Sequence, residues 1–301
     1  MSISKSKLQI KVAEQVPYRA NVWQNSDIAF RQILFRRYGM RIGFIDSGVG
    51  GLSILEAVRA LVPADYFYMM DNRYLPYGTK SELFIRQRLK QLTEHLLTHQ
   101  VDLIVIACNT ATTQAVDWLR QQFDLPFVGV VPAIKPAALY CAGEKMVLLA
   151  TPATVKGHYI QKLVSDYAGQ SQVQLIGSSE LVMLSEQKVW AGADVKAEVV
   201  QVIKDSDLNE FAPKAIILGC THFPFLAEEI RSAFKDAPKL FDTADAIARR
   251  VQHLAAAFTP LYKEKSQDCF IATQELTEQQ KGRVKQMGFG QQSCWPDLYK
   301  D

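Results

Sequence analysis

The sequence predicts an α/β fold: two similar lobes, each built on a parallel sheet, facing across a central cleft. Three observations carry that expectation. Apolar strands recur at intervals and look buried on both faces, each strand runs into a polar loop and a helical stretch, and the second half of the chain repeats the plan of the first. Length agrees, since 301 residues with 48% hydrophobic content suit one large domain or two of ordinary size. Such a chain buries a substantial core without metal or disulfide support.

The elements justify themselves in order. IGFI (42–45) reads as a first core strand and leads into DSGVGG. DYFYMMD (65–71) reads as a second strand and runs into DNRYLPYGTK (71–80). A long helix follows, patterned on Leu83, Leu89, Leu92 and Leu96. VDLIVIA (101–107) leads to CNTATTQAVDWL, and PFVGVV (126–131) leads to PAIKPAALY. The second half restarts with MVLLA (146–150) and TPATV, then VQLIG (173–177), then a helical segment holding Glu186. AIILG (215–219) reaches CTHF, and KLFD (239–242) meets the helical run TADAIARRVQHLAAAF.

IGFID therefore pairs with MVLLAT, and IVIACNT with IILGCTH. Asp46 and Cys108 lie 62 positions apart, Thr151 and Cys220 lie 69 apart, and the order of units agrees. Ligand groups in open α/β sheets gather beyond the C-terminal ends of strands. Cys108 and Cys220 are thus expected on opposite sides of one cleft. PAIKPA (132–137) and Asp242–Asp245 are the expected crossings between lobes. The expected organisation is an N-terminal extension (1–40), a discontinuous first lobe (41–134 plus 245–285), a second lobe (135–244) and a C-terminal tail (286–301).

Charge and cysteine usage exclude several classes. Residues 1–40 carry seven Lys/Arg against two Asp/Glu, so the rest of the chain is net −2 although the total is +3. No broad basic stripe with interleaved aromatics appears, which argues against nucleic acid. A short helix is expected within the extension at Ile28–Phe35. No secretory signal opens the sequence, and no apolar run reaches the roughly 20 residues that span a bilayer. The five cysteines, Cys108, Cys141, Cys220, Cys269 and Cys294, are expected to be reduced thiols.

The glycines of DSGVGGLS (46–53) miss the dinucleotide pattern, because Ser53 stands where the third glycine belongs. They suit a tight anion-binding turn instead. GTK (78–80) lacks the order of a phosphate loop. Cys220 with His222 is compatible with a metal site or a cysteine nucleophile. Neither gives Cys108 a job. A two-thiol acid/base device uses both: one thiolate removes a weakly acidic Cα proton, and the opposite thiol returns a proton to the other face. An ordinary cysteine has a pKa of about 8.5, so each thiol needs help. His222 is placed to assist Cys220. Asp46 is placed near Cys108 as a proton relay or ammonium partner, since its charge alone opposes a thiolate.

The motifs IGFIDSGVGGLSIL, DNRYLPYGTK, VIACNTATT, VGVVPAIKPA, LLATPATVK and LGCTHFP occur in family order over residues 41–255. As an ensemble they resemble the bacterial, cofactor-independent glutamate racemases, in the form found in Gram-negative members. The resemblance implies interconversion of L-glutamate and D-glutamate for peptidoglycan, in the cytoplasm, with neither pyridoxal phosphate nor metal. It implies that Cys108 acts on the proton of the D-isomer and Cys220 on that of the L-isomer. Asp46 and His222 would be their auxiliary groups, and Glu186 a carboxylate near the ammonium or His222. Ser47 and the Pro76-Tyr77-Gly78 segment would bind the side-chain carboxylate, as serine hydroxyl and turn amides can. Asn109, Thr110 and Thr221 would bind the α-carboxylate, with Thr151 and Thr154 nearby in the second lobe. Some Gram-negative relatives respond to UDP-N-acetylmuramoyl-L-alanine, and both monomers and homodimers fit the family. The alternatives are another acidic amino-acid racemase and a non-enzymatic small-acid binder. Tyr77, Gly78 and the DSGVGG turn favour glutamate by resemblance, and the two retained cysteines disfavour mere binding.

Overall fold

The computed structural model describes residues 40–206, 208–257 and 268–295. The extension, with the helix expected at Ile28–Phe35, lies outside the described residues.

The first half begins with β1 (Arg41–Asp46), α1 (Leu52–Arg59), β2 (Asp65–Met70) and α2 (Glu82–Thr98). It continues with β3 (Leu103–Ile106), α3 (Asn109–Gln122), β4 (Phe127–Gly129) and α4 (Ile134–Cys141). Next come β5 (Met146–Ala150), α5 (Pro152–Lys156), α6 (His158–Ala168), β6 (Val173–Gly177), α7 (Glu180–Ala191) and α8 (Lys196–Asp205). Then follow α9 (Leu208–Phe211), β7 (Ala215–Leu218), α10 (Ala227–Ser232), β8 (Lys239–Phe241) and α11 (Ala244–Ala255). The described chain ends with β9 (Cys269–Ala272), α12 (Glu278–Gln286) and β10 (Gln291–Cys294).

All strand pairs are parallel. One sheet has the order β10-β9-β2-β1-β3-β4, the other β6-β5-β7-β8. The triplet β2-β1-β3 matches the triplet β6-β5-β7, so the chain reverses its direction of travel at β1 in one sheet and at β5 in the other. Crevices for ligands form at such switch points, beyond the strand carboxyl ends. Asp46 ends β1, Cys108 follows β3, Thr151 follows β5 and Cys220 follows β7. The equivalence extends to the backbone: the Ala107 N–H donates to the Ile45 carbonyl (2.8 Å), and the Gly219 N–H to the Leu149 carbonyl (2.7 Å).

The core explains why these strands read as continuous apolar runs. Leu103, Val105 and Ala107 of the β3 segment pack on one face of the first sheet, and Ile104, Ile106 and Cys108 pack on the other. In the second sheet Val147 and Leu149 pack on one face, and Met146, Leu148 and Ala150 on the other. Helices cover both faces, as parallel sheets require. The helix α2 corrects one detail of the sequence pattern. Leu83 is exposed, and the buried stripe is Ile85, Leu89, Leu92 and Leu96. The apolar periodicity therefore starts two residues later, at Ile85. Ser81 caps it by accepting from the Phe84 N–H (3.3 Å). Among the described residues no helix is long and apolar enough to cross a membrane.

Candidate active site

Asp46 ends β1, and the loop that follows carries Ser47 and the glycines 48, 50 and 51, with Gly48 and Gly50 set against the loop after β7. Gly48 and Gly50 permit this approach. A Cβ at Gly48 would stand 2.0 Å from Glu186 Oε1 and 2.8 Å from His222 Nε2, and one at Gly50 would stand 2.6 Å from Thr221 Oγ1. Tyr68 holds the turn from below, its hydroxyl donating to the Gly48 carbonyl (2.8 Å).

Asp46 is fully buried. Its Oδ1 accepts from the Gly48 N–H (3.2 Å) and the Ser47 hydroxyl (3.3 Å), and its Oδ2 accepts from the Thr221 hydroxyl (3.2 Å). Burial raises its pKa from the ordinary 3.8 to about 6, against the pull of His222 and of its hydrogen-bond donors. Cys108 occupies the N-cap position of α3. Burial pushes its thiol well above the usual range, and the Asp46 charge adds to this. The Ala111 and Thr110 amides, which point at the sulfur, offset part of the rise.

On the opposite side Cys220 Sγ lies 3.7 Å from His222 Nδ1. His222 Nε2 donates to Glu186 Oε1 (2.7 Å). Burial disfavours the imidazolium, yet the hydrogen bonds and charges of Cys220 and Glu186 overcome it and raise the His222 pKa well above the usual value. Glu186 is not a solvated helix residue. Only 6% exposed, it also accepts from the Val49 N–H across the cleft (2.8 Å) and from Trp190 Nε1 (2.8 Å). The Ser185 hydroxyl steadies the same corner by donating to the His222 carbonyl (2.9 Å).

A second set of contacts crosses the cleft nearer Cys108. Thr110, Thr151 and Thr154 form a hydroxyl triangle with sides of 2.8, 3.2 and 2.9 Å. Thr151 also caps α5, accepting from the Thr154 N–H (3.3 Å). Asn109 is buried, and its Nδ2 has no protein partner among the described residues. Tyr77 and Gly78 are buried, while Pro76 is half-buried. Gly78 abuts Thr151 so closely that a Cβ there would stand 2.7 Å from the threonine Cβ. Among the described residues no three His, Cys, Asp or Glu side chains converge to hold a metal ion.

The site residues named from sequence therefore converge from both sheets. The sequence offered no sign of Tyr68, Ser185 or Trp190, which hold the first set from behind.

The family model for Asp/Glu/Hydantoin racemase matches residues 42–251. A glutamate racemase of Shewanella woodyi is 40% identical over 81% of this chain and 94% of its own length. One of Pectobacterium carotovorum is 44% identical over 70% of this chain and 75% of its own. The crystal structure of Escherichia coli glutamate racemase in complex with L-glutamate and the activator UDP-MurNAc-Ala matches with a TM-score of 0.80 and 36% identity, covering 87% of this chain and 100% of that one. The chain belongs to the Asp/Glu/hydantoin racemase family and, within it, to the glutamate racemases, which interconvert L-glutamate and D-glutamate for peptidoglycan synthesis.

Proposed function

We propose that this chain racemises glutamate by a two-thiol relay, Cys220 working on the Cα proton of the L-isomer and Cys108 on that of the D-isomer. The observation that carries this reading is the pairing of equivalent strand ends. Asp46 and Cys108 close one sheet, Thr151 and Cys220 close the other, and Thr221 and Thr110 hydrogen-bond across the gap. The two thiols have unlike neighbours. Beside Cys220 stands the His222 imidazole, whose pKa is raised well above the usual value by its contacts with Cys220 and Glu186. Cys108, beside a carboxylate in a buried setting, rests as a thiol.

Starting from L-glutamate, the Cys220 thiolate takes the Cα proton and becomes a thiol. The electron pair left on Cα is delocalised into the carboxylate, so the centre flattens. Cys108 then gives its proton to the opposite face, leaving a Cys108 thiolate and D-glutamate. Starting from D-glutamate the same steps run backwards. Resetting the enzyme after one turnover moves a net proton from Cys220 to Cys108. His222 and Asp46 are the adjoining carriers, and an Asp46 pKa of about 6 suits one that gains and loses a proton near neutrality.

Carboxylate recognition falls to neutral donors. The unpartnered Asn109 Nδ2, with Thr110 and Thr221, supports the α-carboxylate end. Ser47 and the Pro76-Tyr77-Gly78 turn take the side-chain carboxylate, with Thr151 and Thr154 closing the pocket. Neutral donors hold both carboxylates without placing a lysine beside the thiols. The lobes of this reading are residues 41–134 with 245–285, and 135–244, and the expected tail adds β10 to the first lobe's sheet. The chain works in the cytoplasm as a monomer or homodimer.

The deciding experiment follows D- and L-glutamate by circular dichroism, with chelator present and pyridoxal phosphate absent. The folded, reduced chain interconverts the isomers. Cys108→Ser and Cys220→Ser each lower the rate by roughly two to four orders of magnitude, the span of a lost general acid or base. Either variant racemising at the native rate would overturn the relay. The resemblance to the E. coli complex also supports activation by UDP-N-acetylmuramoyl-L-alanine. Adding that compound is expected to raise turnover, and an unchanged rate over a saturating range would remove it.

A further inference from the structure

Asp71 directly follows β2, is fully buried and uses both of its oxygens. Oδ2 accepts from Arg88 Nε (2.8 Å) and from the Tyr77 hydroxyl (2.5 Å). Oδ1 accepts from Arg88 Nη2 (2.8 Å) and from the Thr273 hydroxyl (2.7 Å). Arg88, on α2, is only 3% exposed. Its guanidinium carbon lies 5.0 Å from the centre of the Tyr74 ring and 5.3 Å from that of Trp295. Trp295, which follows β10, stacks in turn on His95 with 4.7 Å between ring centres. The Asp71 N–H donates to the Asp46 carbonyl (2.8 Å), so the cluster hangs on the strand that carries Asp46.

A buried ion pair with this many partners is weak evidence for stability, because desolvation offsets its attraction. It is better evidence for geometry. Arg88 presents a planar fork that admits one orientation of the carboxylate. The carboxylate then fixes Tyr77, whose ring is 1% exposed. Burial and the Asp71 charge raise the phenol pKa well above its usual value, so the hydroxyl stays a donor. Tyr77 lies inside the turn whose next residue, Gly78, presses against Thr151 of the second sheet.

We propose that Asp71 and Arg88 are positioning residues for the side-chain carboxylate of the substrate: Asp71, oriented by Arg88, anchors the Tyr77 hydroxyl and thereby sets the turn that receives that carboxylate. The proposal rests on the reading of Pro76-Tyr77-Gly78 as the carboxylate site. It has a specific kinetic consequence. Inversion moves only the proton on Cα, so both isomers place the side-chain carboxylate at the same turn. Loosening the turn weakens both equally and leaves the thiols alone.

The test compares full-length variants by KM and kcat in both directions, with thermal melting alongside. Tyr77→Phe keeps the ion pair and removes only its hydrogen bond to the turn. KM is expected to rise roughly tenfold for both isomers while kcat stays within about twofold. Thr273→Val, which removes a donor from a different segment, shifts KM in the same sense, and Thr273→Ser restores it. Gly78→Ala is the control, since its Cβ would stand 2.7 Å from that of Thr151 and so disturbs the turn itself. If Gly78→Ala raises KM and a folded Tyr77→Phe does not, positioning by Asp71 is wrong and the carboxylate site stands. If neither moves KM, the reading of the turn fails. A fall in kcat alone also overturns the proposal.

Discussion

Asp46 shows how burial at one residue couples stability to chemistry. Its pKa rises from 3.8 to about 6, and burial is the largest cause. A raised carboxylate stabilises the fold fully only below the unfolded value. That contribution is lost as pH climbs through the folded one. Above about pH 6 the fold therefore carries a buried charge at a cost on the order of 3 kcal/mol. Asp46→Asn removes the titration while keeping an acceptor for the Gly48 N–H. The variant is expected to melt above the native chain at pH 8, with the margin shrinking as pH falls through 6 toward 4. Racemisation at pH 8 should drop roughly a hundredfold or more if Asp46 carries protons to Cys108. A melting margin equal at both ends of the pH range would show that the carboxylate is not strained by burial. Asp46, Cys108, Cys220 and His222 were readable in sequence because each sits at or just past a strand end, where the run of apolar residues stops. Trp190 and Arg88 were not. Arg88 meets Asp71 across 17 positions, and Asp71 meets Thr273 across 202, so their chemistry exists only after folding.

At the scale of elements, legibility follows burial. The strands β1, β3, β5 and β7 are apolar along nearly their whole length because helices cover both faces, and every residue of the last three is buried. β10 has the opposite character. Its residues, QQSC, are all exposed, and it joins the sheet through backbone pairing with β9 from Gln291↔Cys269 to Cys294↔Ala272. No hydrophobic pattern marks a strand whose residues are all exposed, so sequence alone left residues 286–301 as a C-terminal tail. Its consequence is nonetheless concrete, since β10 delivers Trp295 to Arg88. α2 shows a smaller limit. Leucine spacing found the helix, but Ile85 rather than Leu83 begins its buried stripe.

The molecule as a whole is held in a closed arrangement by contacts between its two sheets. The Val49 N–H donates to Glu186, the Ser53 hydroxyl to the Thr221 carbonyl (3.2 Å), and Arg283 Nε to the Val189 carbonyl (3.3 Å). Cys108 and Cys220 are then only 7% and 6% exposed. On the proposed mechanism, closure of this kind would exclude water from the reacting carbon, and glutamate would enter by its reversal. Gly48 is the position at which closure is most exposed to a single methyl. Its added Cβ would stand 2.0 Å from Glu186 Oε1, inside any real contact distance, while that carboxylate is fixed by His222 and Trp190. The clash lies between the loop after β1 and a side chain of α7, which packs on the other sheet, so each sheet can still fold. Gly48→Ala is therefore expected to keep a melting temperature within a few degrees of native. Its kcat should fall about a hundredfold, because a thiol displaced by as little as 1 Å loses that much. Hydrogen exchange at the Val49 amide separates this account from simple unfolding. That amide should exchange faster once it can no longer reach Glu186, while amides in β1 and β5 stay protected. A slow Val49 amide with native turnover would mean that the loop accommodates the methyl and that closure does not depend on the glycine.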